Sequence, residues 1–434
     1  MEISTLYSLF LKYPSVCTDS RKAQAGSIFF ALCGESFNGN LYAQTALDAG
    51  CAYAVVDDET LAENKGMILV PNVLTCLQEL AQYHRRMLNI PVLAITGSNG
   101  KTTTKELVRE VVAKKFEVVA TVGNLNNHIG VPLTLLSAKA STEFLVVEMG
   151  ANHPNDIAEL CAIAEPNFGI VTNVGKAHLE GFGSLEGVMR AKGKLFEWLF
   201  DHDGLAFVNL DNELILSMLM HQKTSGYGVS DSADCSGVLL DSADGYLAAH
   251  VIVRAPNAPS AELLDIQTAL VGGYNFENLL AACAVGSFFD VPPRAIKEAV
   301  EAYRPSNNRS QIEVTAKNRV IKDAYNANPS SMRLAIENFA KSSFANKVLI
   351  LGEMREVGDF KAREHSEIMD LIASYEWYAV FLVGESYGQG SDRFVCFENT
   401  PALVGYLQTK PLEACTVLVK GSRGVKLELC YPEL

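Results

Sequence analysis

The stretch TGSNGKTTTKE, residues 96–106, has the composition of a loop that binds phosphate. An apolar run, VLAIT, leads into it and a helical pattern begins at Lys101, so backbone N–H groups and the positive end of the helix dipole would converge on an anion. Lys101 can follow a phosphoryl group during its transfer, and Thr102 can offer its hydroxyl to Mg²⁺. Two residues separate Gly97 from Gly100, where the Walker pattern has four. The alternative is a glycine-rich turn that caps a helix beside a solvated lysine, but the strand-loop-helix context favours nucleotide binding.

Two further residues could take part in phosphoryl transfer. Glu148 ends the strand-like run FLVVE, and a carboxylate at the end of a strand beside a phosphate loop can bind a metal or a water molecule. A surface acid in a loop is equally consistent with that pattern. His178 follows the strand-like run FGIVTNV and can coordinate a metal or orient a phosphate, although an isolated histidine is more often structural.

Lys192 lies on an apolar helical face in the segment SLEGVMRAKGKLFEWLF, four residues after Val188 and three before Leu195. Lys194 points to the other side of the same helix. A lysine on an apolar face usually extends its ammonium group to solvent. If Lys192 is buried instead, its neutral amine is favoured and can react with carbon dioxide to give a carbamate, which is a carboxylate suited to Mg²⁺.

The elements that would position these residues alternate between strand-like and helical patterns, which predicts an α/β protein with parallel strands and crossover helices. We expect three domains, namely a small α/β domain over 1–89, a central domain over 90–307 and a smaller α/β domain over 308–434. The helical pattern VLTCLQELAQYHRRML, residues 73–88, closes the first of them. Between residues 226 and 272 shorter polar-apolar alternations predict antiparallel strands added to the central sheet.

Composition narrows the classes of partner. The formal charge of −14 has no compensating basic run, which disfavours nucleic acids and anionic membranes. Ten cysteines without a C-x-x-C pair indicate a reducing compartment and no zinc site. The N-terminus lacks a basic leader and no run of 18 apolar residues occurs, so we expect a cytoplasmic protein. The acidic charge favours a small-molecule partner, and we also expect a monomer.

Six runs, in this order, resemble the Mur ligase family: TGSNGKTTTKE, GNLNNHIGVPLTLL, EMGANHPNDI, AHLEGFGSLEGVMRAKGKLF, DAYNANPSSM and VLVKGSR. Within the family they are similar to the branch that adds D-alanyl-D-alanine. The similarity covers essentially the whole chain, from TDSR at residues 18–21 to KGSR at 420–423. The short GxxGKT loop is itself what that family uses.

The resemblance implies a P-loop-type central domain, a Rossmann-like third domain that closes on ATP and binds the dipeptide, and a first domain that binds a UDP-linked substrate. ATP contacts are implied at Gly97, Ser98, Asn99, Gly100, Lys101, Thr102, Thr103, Asn275, Asn278, Arg309 and Asp323. Two Mg²⁺ ions are implied at Thr102, Glu148, His178 and a carbamylated Lys192. Lys101, His178 and Lys192 are the implied catalytic residues. Substrate contacts are implied at Ser20, Arg21, Asn126, Asn127, Asn326, Asn328, Lys420 and Ser422.

The implied reaction transfers the γ-phosphoryl group of ATP to the carboxylate of UDP-N-acetylmuramoyl-tripeptide, after which the amine of D-alanyl-D-alanine displaces the phosphate. It would serve peptidoglycan biosynthesis, and with it cell shape and cell division. Tyr274, Asn308 and Lys194 depart from the family pattern of His, Gly and Glu at these positions. Two alternatives stay open: a folylpolyglutamate synthase-like ligase, and a nucleotide-binding module without turnover.

Overall fold

The computed structural model describes residues 1–241, 245–254, 260–306, 308–388 and 394–434. Among these residues the strands form sheets of four, nine, six and two strands, and most neighbouring strands are parallel. This architecture confirms the predicted α/β class. The predicted domain limits after residues 89 and 307 stay predictions, and Asn307 lies outside the described residues.

The first sheet is parallel and is flanked by helices. Its strands, in spatial order, are Val16–Cys17, Ile28–Phe30, Tyr53–Val56 and Met67–Leu69. The helices are Ile3–Lys12, Ala43–Asp48 and Val73–Leu88, and an antiparallel ribbon pairs Cys33–Gly34 with Phe37–Asn38. The helix predicted over 73–88 is confirmed: the Asn72 side chain accepts a hydrogen bond from the N–H of Thr75 at its start, and Asn89 ends it in a left-handed conformation. Leu77 and Leu80 of this helix share one apolar cluster with Val131, so the first segment packs directly on the central one.

The second sheet carries the phosphate loop. Its strands, in spatial order, are Glu262–Val271, Tyr246–Val253, Cys235–Leu240, Lys223–Gly228, Leu205–Asn209, Phe168–Val171, Val92–Thr96, Phe144–Glu148 and Val118–Ala120. The pairs within 235–271 are antiparallel, as predicted, and the others are parallel. The accompanying helices are Lys101–Val112, Gly130–Leu136, Asp156–Ala164, Leu179–Phe182, Leu185–Asp201, Glu213–Leu216, Phe276–Phe288 and Pro293–Ala302. Apolar clusters cover both faces of this sheet.

The third sheet begins with an antiparallel pair and is otherwise parallel. Its strands, in spatial order, are Gln311–Val314, Arg319–Asp323, Thr416–Lys420, Lys347–Gly352, Ala379–Val383 and Val395–Phe397. The helices Pro329–Lys341, Lys361–Ala373 and Thr400–Thr409 pack on it, with an apolar cluster on each face. Short 3-10 turns lie at Ser20–Lys22, Gly39–Tyr42, Glu59–Leu61, Gly273–Asn275, Gly358–Phe360, Glu385–Tyr387, Arg423–Val425 and Leu427–Glu433. In the described parts of the chain, we find no helix with the length and apolarity that a membrane crossing requires.

Candidate active site

A cleft of about 680 Å³ opens where the second and third sheets face each other. The strands Phe168–Val171, Val92–Thr96 and Phe144–Glu148 are parallel neighbours, so their carboxyl ends meet at one edge of the sheet. That edge is where an open α/β sheet binds its ligands. The third sheet contributes residues from the ends of Arg319–Asp323 and Thr416–Lys420, which lie on the opposite wall of the cleft.

The glycine-rich loop is held in a shape that only glycine permits. A Cβ atom on Gly97 would lie 1.9 Å from Thr172 Oγ1, and one on Gly100 would lie 2.5 Å from Asn278 Oδ1. Both glycines have positive φ angles, 148° and 80°. Lys101 Nζ donates to the carbonyl of Gly97 at 2.6 Å, and burial lowers the pKa of Lys101 to about 8. Lys101 is therefore folded back on its own loop and has to turn outward to bind a phosphate.

The segment after the strand Phe168–Val171 braces this loop. Thr172 Oγ1 donates to the carbonyl of Asn99 at 2.6 Å, and Asn173 both accepts from the N–H of Asn99 and donates to its carbonyl. Ser98 Oγ donates to the carbonyl of Gly175 at 3.1 Å. The loop is thus pre-shaped before a ligand arrives, which lowers the entropic cost of binding.

Thr102 Oγ1 and Glu148 Oε2 are buried and lack hydrogen-bond partners within the described residues, as does Thr96 Oγ1 just before the loop. The other carboxylate oxygen of Glu148 accepts from Asn126 Nδ2 at 2.8 Å. Buried oxygens without partners are rare in folded proteins, and oxygen ligands are the ones that Mg²⁺ prefers. Thr102 and Glu148 therefore fit a bound divalent cation.

Lys192 is buried, with 1% of its surface exposed, so the alternative in which its ammonium group extends to solvent is wrong. Burial, and then repulsion from Lys101, holds the pKa of Lys192 well below its usual range, which favours the neutral amine. Lys194, in contrast, is partly exposed and pairs with Glu197. The part of the chain that the structure describes has no group of three or more His, Cys, Asp or Glu side chains that could hold a metal. A cation here would need the Thr102 hydroxyl and a carbamylated Lys192 in addition to protein carboxylate and imidazole.

His178 lies at the rim of the cleft and contacts the third domain. Its Nδ1 is 3.0 Å from Glu356 Oε2. The hydrogen bond from His178 is the main cause that lowers the pKa of Glu356. Other contacts across the cleft are Lys176 with Glu364, at 2.7 Å, and Asn328 Nδ2 with Asn99 Oδ1, at 2.8 Å. The two domains are thus in contact around the candidate site.

The third domain places further predicted residues in the cleft. The Arg309 guanidinium lies 3.9 Å from the centre of the Tyr325 ring, and its Nε is buried without a hydrogen-bond partner in the described regions. Lys420 Nζ is 2.6 Å from Asp323 Oδ2. Asn326 also lines the cleft. Two cationic side chains, Arg309 and Lys420, and the amide of Asn326 therefore line the cleft opposite the phosphate loop.

Of the other residues predicted to bind nucleotide or substrate, some line the cleft and some do not. Asn275 and Asn278 line the cleft and hydrogen-bond to each other at 2.9 Å. Asn127 lines it as well, although its side-chain oxygen also accepts a hydrogen bond from the N–H of Gly130 at the start of the helix Gly130–Leu136. Ser422 lies behind the wall, where its hydroxyl accepts from the N–H of Arg355. Ser20 and Arg21 are outside the cleft lining, on the first domain, so their roles stay predictions.

Sequence reasoning missed three residues of this site. Glu356 is the first of them, because no sequence motif around it predicts a contact with His178. Tyr325, which stacks with Arg309, lies inside the quoted run DAYNANPSSM, and Asn173 lies inside FGIVTNV. The rule that polar residues directly after predicted strands often carry function would have indicated Tyr325 and Asn173.

Tyr274, which departs from the family pattern, hydrogen-bonds to Ser310 Oγ at 2.7 Å.

A phosphate loop between a parallel strand and a helix, facing a second α/β sheet across one cleft, is the arrangement of a multidomain nucleotide-dependent enzyme. Comparison with known families is consistent with that class: the Mur ligase middle domain matches residues 95–286, and the Mur ligase glutamate ligase domain matches residues 308–423. The chain belongs to the Mur ligase family, which confirms the resemblance in the sequence.

Individual relatives span nearly the same length. UDP-N-acetylmuramoyl-tripeptide–D-alanyl-D-alanine ligase of Bacillus subtilis (strain 168) is 31% identical over 433 residues, 96% of this chain and 92% of that protein. The crystal structure of MurF from Acinetobacter baumannii has a TM-score of 0.86 at 26% identity and covers 97% of this chain and 93% of that one. MurF ligase from Thermotoga maritima, in complex with ADP, has a TM-score of 0.84 at 25% identity and covers 98% and 97%.

Proposed function

We propose that this protein is an ATP-dependent amide ligase that joins D-alanyl-D-alanine to UDP-N-acetylmuramoyl-tripeptide. The observation that carries this proposal is one cleft lined on one side by Ser98, Asn99, Gly100, Lys101 and Thr103 of the phosphate loop, and on the other by Arg309, Asn326 and Asn328. A relative with 31% identity over almost the full length bears the name of that ligase, and a structural relative was solved with ADP. The product would be the pentapeptide precursor of peptidoglycan.

In the first step a carboxylate oxygen of the tripeptide attacks the γ-phosphorus of ATP, and ADP leaves. The anionic reactants repel each other, so the site has to supply positive charge and fixed geometry. Lys101 turns from the carbonyl of Gly97 to the phosphates, while backbone N–H groups of the loop hold them at the start of the helix Lys101–Val112. Arg309 adds its guanidinium from the opposite wall.

Thr102, Glu148, His178 and a carbamylated Lys192 are the residues that would hold Mg²⁺. The fit rests on the buried oxygens of Thr102 and Glu148 that lack partners within the described residues and on the buried lysine amine. Carbamate formation joins the neutral amine of Lys192 to carbon dioxide and releases a proton. Bound Mg²⁺ supplies charge neutralisation at the transferring phosphoryl group.

In the second step the amine of the dipeptide attacks the acyl carbon and phosphate leaves. Asn326 and Asn328 lie at the start of the helix Pro329–Lys341, and they line the cleft beside Lys420, where they can orient the dipeptide. Closer approach of the third domain to the phosphate loop would close the cleft and exclude water that would hydrolyse the acyl phosphate. We propose that the protein works in this way as a monomer in the cytoplasm, in support of cell-wall synthesis and cell division.

The test is release of ADP by the purified protein with ATP, Mg²⁺ and UDP-N-acetylmuramoyl-tripeptide, with and without D-alanyl-D-alanine. We expect release that depends on the dipeptide. Release with a folate and glutamate instead would favour the folylpolyglutamate synthase alternative, and ATP binding without any release would favour the binding module. Either result would overturn the proposal.

Lys101→Ala separates a catalytic lysine from a structural one. Loss of an electrostatic contact to the transferring phosphoryl group should lower kcat about 100- to 1,000-fold. The matched control is Lys114→Ala, which removes an exposed lysine just after the same helix. If both variants lose activity equally, or if Lys101→Ala melts far below the wild type, Lys101 has a structural role instead.

A further inference from the structure

We propose that Glu356 is a positioning residue for the cation site: it fixes the ring of His178 from the third domain, so that the site is complete only when that domain is docked. This inference rests on the proposed function, because it assumes that His178 binds a metal. It assigns a role to a residue outside every motif in the sequence. The observation behind it is the 3.0 Å contact between His178 Nδ1 and Glu356 Oε2.

The chemistry of imidazole makes this contact directional. A neutral imidazole carries one N–H donor and one acceptor nitrogen. A carboxylate accepts only, so Glu356 fixes the proton on Nδ1 of His178 and leaves the Nε2 lone pair for a cation. Metal-binding histidines usually have such a carboxylate or carbonyl partner, which also holds the ring in place.

The backbone conformations of His178 and Glu356 are uncommon ones that the surrounding structure has to maintain. His178 and Glu356 each have a positive φ angle, 50° and 68°, although neither is glycine. Non-glycine residues with positive φ angles persist where the surrounding structure imposes that conformation, and they occur preferentially at functional sites. Asn326 lies close enough to the Glu356 carboxylate to contribute to the lowering of its pKa, so the pair adjoins a residue proposed to orient the dipeptide.

The two partners come from different domains. His178 follows the strand Phe168–Val171 of the second sheet, and Glu356 follows Lys347–Gly352 of the third. Undocking of the third domain would separate them and release the His178 ring. Cation binding and domain docking should therefore strengthen each other, because both favour the arrangement in which His178 contacts Glu356.

The experiment compares Glu356→Ala and Glu356→Gln, which keep a non-glycine residue at the same backbone position. Binding of Mn²⁺, as a probe for Mg²⁺, is measured by electron paramagnetic resonance of the free ion with the β,γ-methylene analogue of ATP present. We expect about 10-fold weaker Mn²⁺ binding in Glu356→Ala. Glu356→Gln should recover most of it, because its amide oxygen still accepts from His178 Nδ1.

Two controls isolate the path through His178. Asp359→Asn removes another exposed negative charge three residues away and should leave Mn²⁺ affinity unchanged. In a His178→Ala background, Glu356→Ala should cause no further loss. Wild-type Mn²⁺ affinity in Glu356→Ala would overturn the inference. A second result would also overturn it: Glu356→Gln weakens Mn²⁺ binding as much as Glu356→Ala does, and the loss persists in the His178→Ala background. Glu356 would then contact the cation itself.

A second readout is the Mg²⁺ concentration that gives half-maximal ADP release. It should rise about 10-fold in Glu356→Ala. If the wild type releases no ADP with its proposed substrates, the proposed function fails, yet the Mn²⁺ measurement still decides the role of Glu356. If the wild type turns over and Glu356→Ala has the same Mg²⁺ requirement, only the positioning role fails.

Discussion

Replacement of Lys192 by methionine separates chemistry from stability. The side chain is 1% exposed and lies on the same helical face as Val188, Leu195 and Phe196, which are fully buried. Methionine has a similar length and no branch, so it should fill the same space. If Lys192 carries the carbamate that binds Mg²⁺, Lys192→Met loses that ligand and keeps the core.

The expected magnitudes follow from this environment. A volume-conserving change in a packed core usually costs less than about 1.5 kcal/mol of unfolding free energy. Removal of an amine that burial forces towards its neutral form offsets part of this cost. Loss of a preorganised electrostatic group should instead lower kcat about 100- to 1,000-fold, which corresponds to roughly 3–4 kcal/mol in the activation free energy.

The assay is dipeptide-dependent ADP release, in parallel with urea unfolding. Lys194→Met is the matched control, since Lys194 lies two residues away on the same helix, is 38% exposed and pairs with Glu197. We expect it to change stability by no more than about 0.5 kcal/mol and to keep activity. Lys192→Ala should regain part of its activity with added acetate, which can occupy the vacated space as a carboxylate.

Two results would refute the reasoning. Wild-type activity in Lys192→Met would show that no carbamate is needed. A loss of several kcal/mol of unfolding free energy, with activity restored under stabilising conditions, would show that Lys192 acts through packing. Carbon dioxide depletion gives an independent check, because it should lower wild-type activity and leave Lys194→Met no more sensitive than the wild type.

Further predictions concern the loop, a buried ion pair and a buried histidine. Gly97→Ala places a carbon 1.9 Å from Thr172 Oγ1, so we expect a loss of about 2–5 kcal/mol in urea unfolding from backbone strain and broken hydrogen bonds, and wild-type stability would contradict this. Lys420→Met leaves the Asp323 carboxylate, 2.6 Å away, without its cation and should lower the unfolding free energy by about 3–5 kcal/mol. Asp323→Asn in the same chain should recover most of this loss, and no recovery would contradict the pairing. Burial lowers the pKa of His365, so the unfolded chain binds the proton more tightly, and wild-type stability should fall as the pH drops below about 6.5. His365→Gln should make that dependence shallower without removing it, because burial also lowers the pKa of His84. An unchanged loss of stability in the variant, in urea unfolding at about pH 7.5 and pH 5.5, would exclude His365 as a contributor.

Much of the fold was predictable because the periodicity is local. The apolar run VLAIT lies between Pro91 and Gly97, and the observed strand is Val92–Thr96. Helical spacing also placed Lys192 on an apolar face, and the structure buries it there. Whether such a lysine reaches solvent depends on what covers the helix, which periodicity alone does not state.

The partners of these residues were less predictable, because they come from distant parts of the chain. Glu356 meets His178 through the docking of two sheets, and no spacing between positions 178 and 356 signals that contact. Asn99 meets Asn328 in the same way, over 229 residues. The motifs predict which residues could carry chemistry, whereas the tertiary arrangement determines which of them touch.

The most direct test of the proposed reaction follows one oxygen atom. UDP-N-acetylmuramoyl-tripeptide labelled with ¹⁸O in its reacting carboxylate is incubated with ATP, Mg²⁺ and D-alanyl-D-alanine. An acyl phosphate route transfers one ¹⁸O atom to the released phosphate and leaves one in the new amide, so mass spectrometry should find both. Unlabelled phosphate, or ¹⁸O in AMP, would contradict the account.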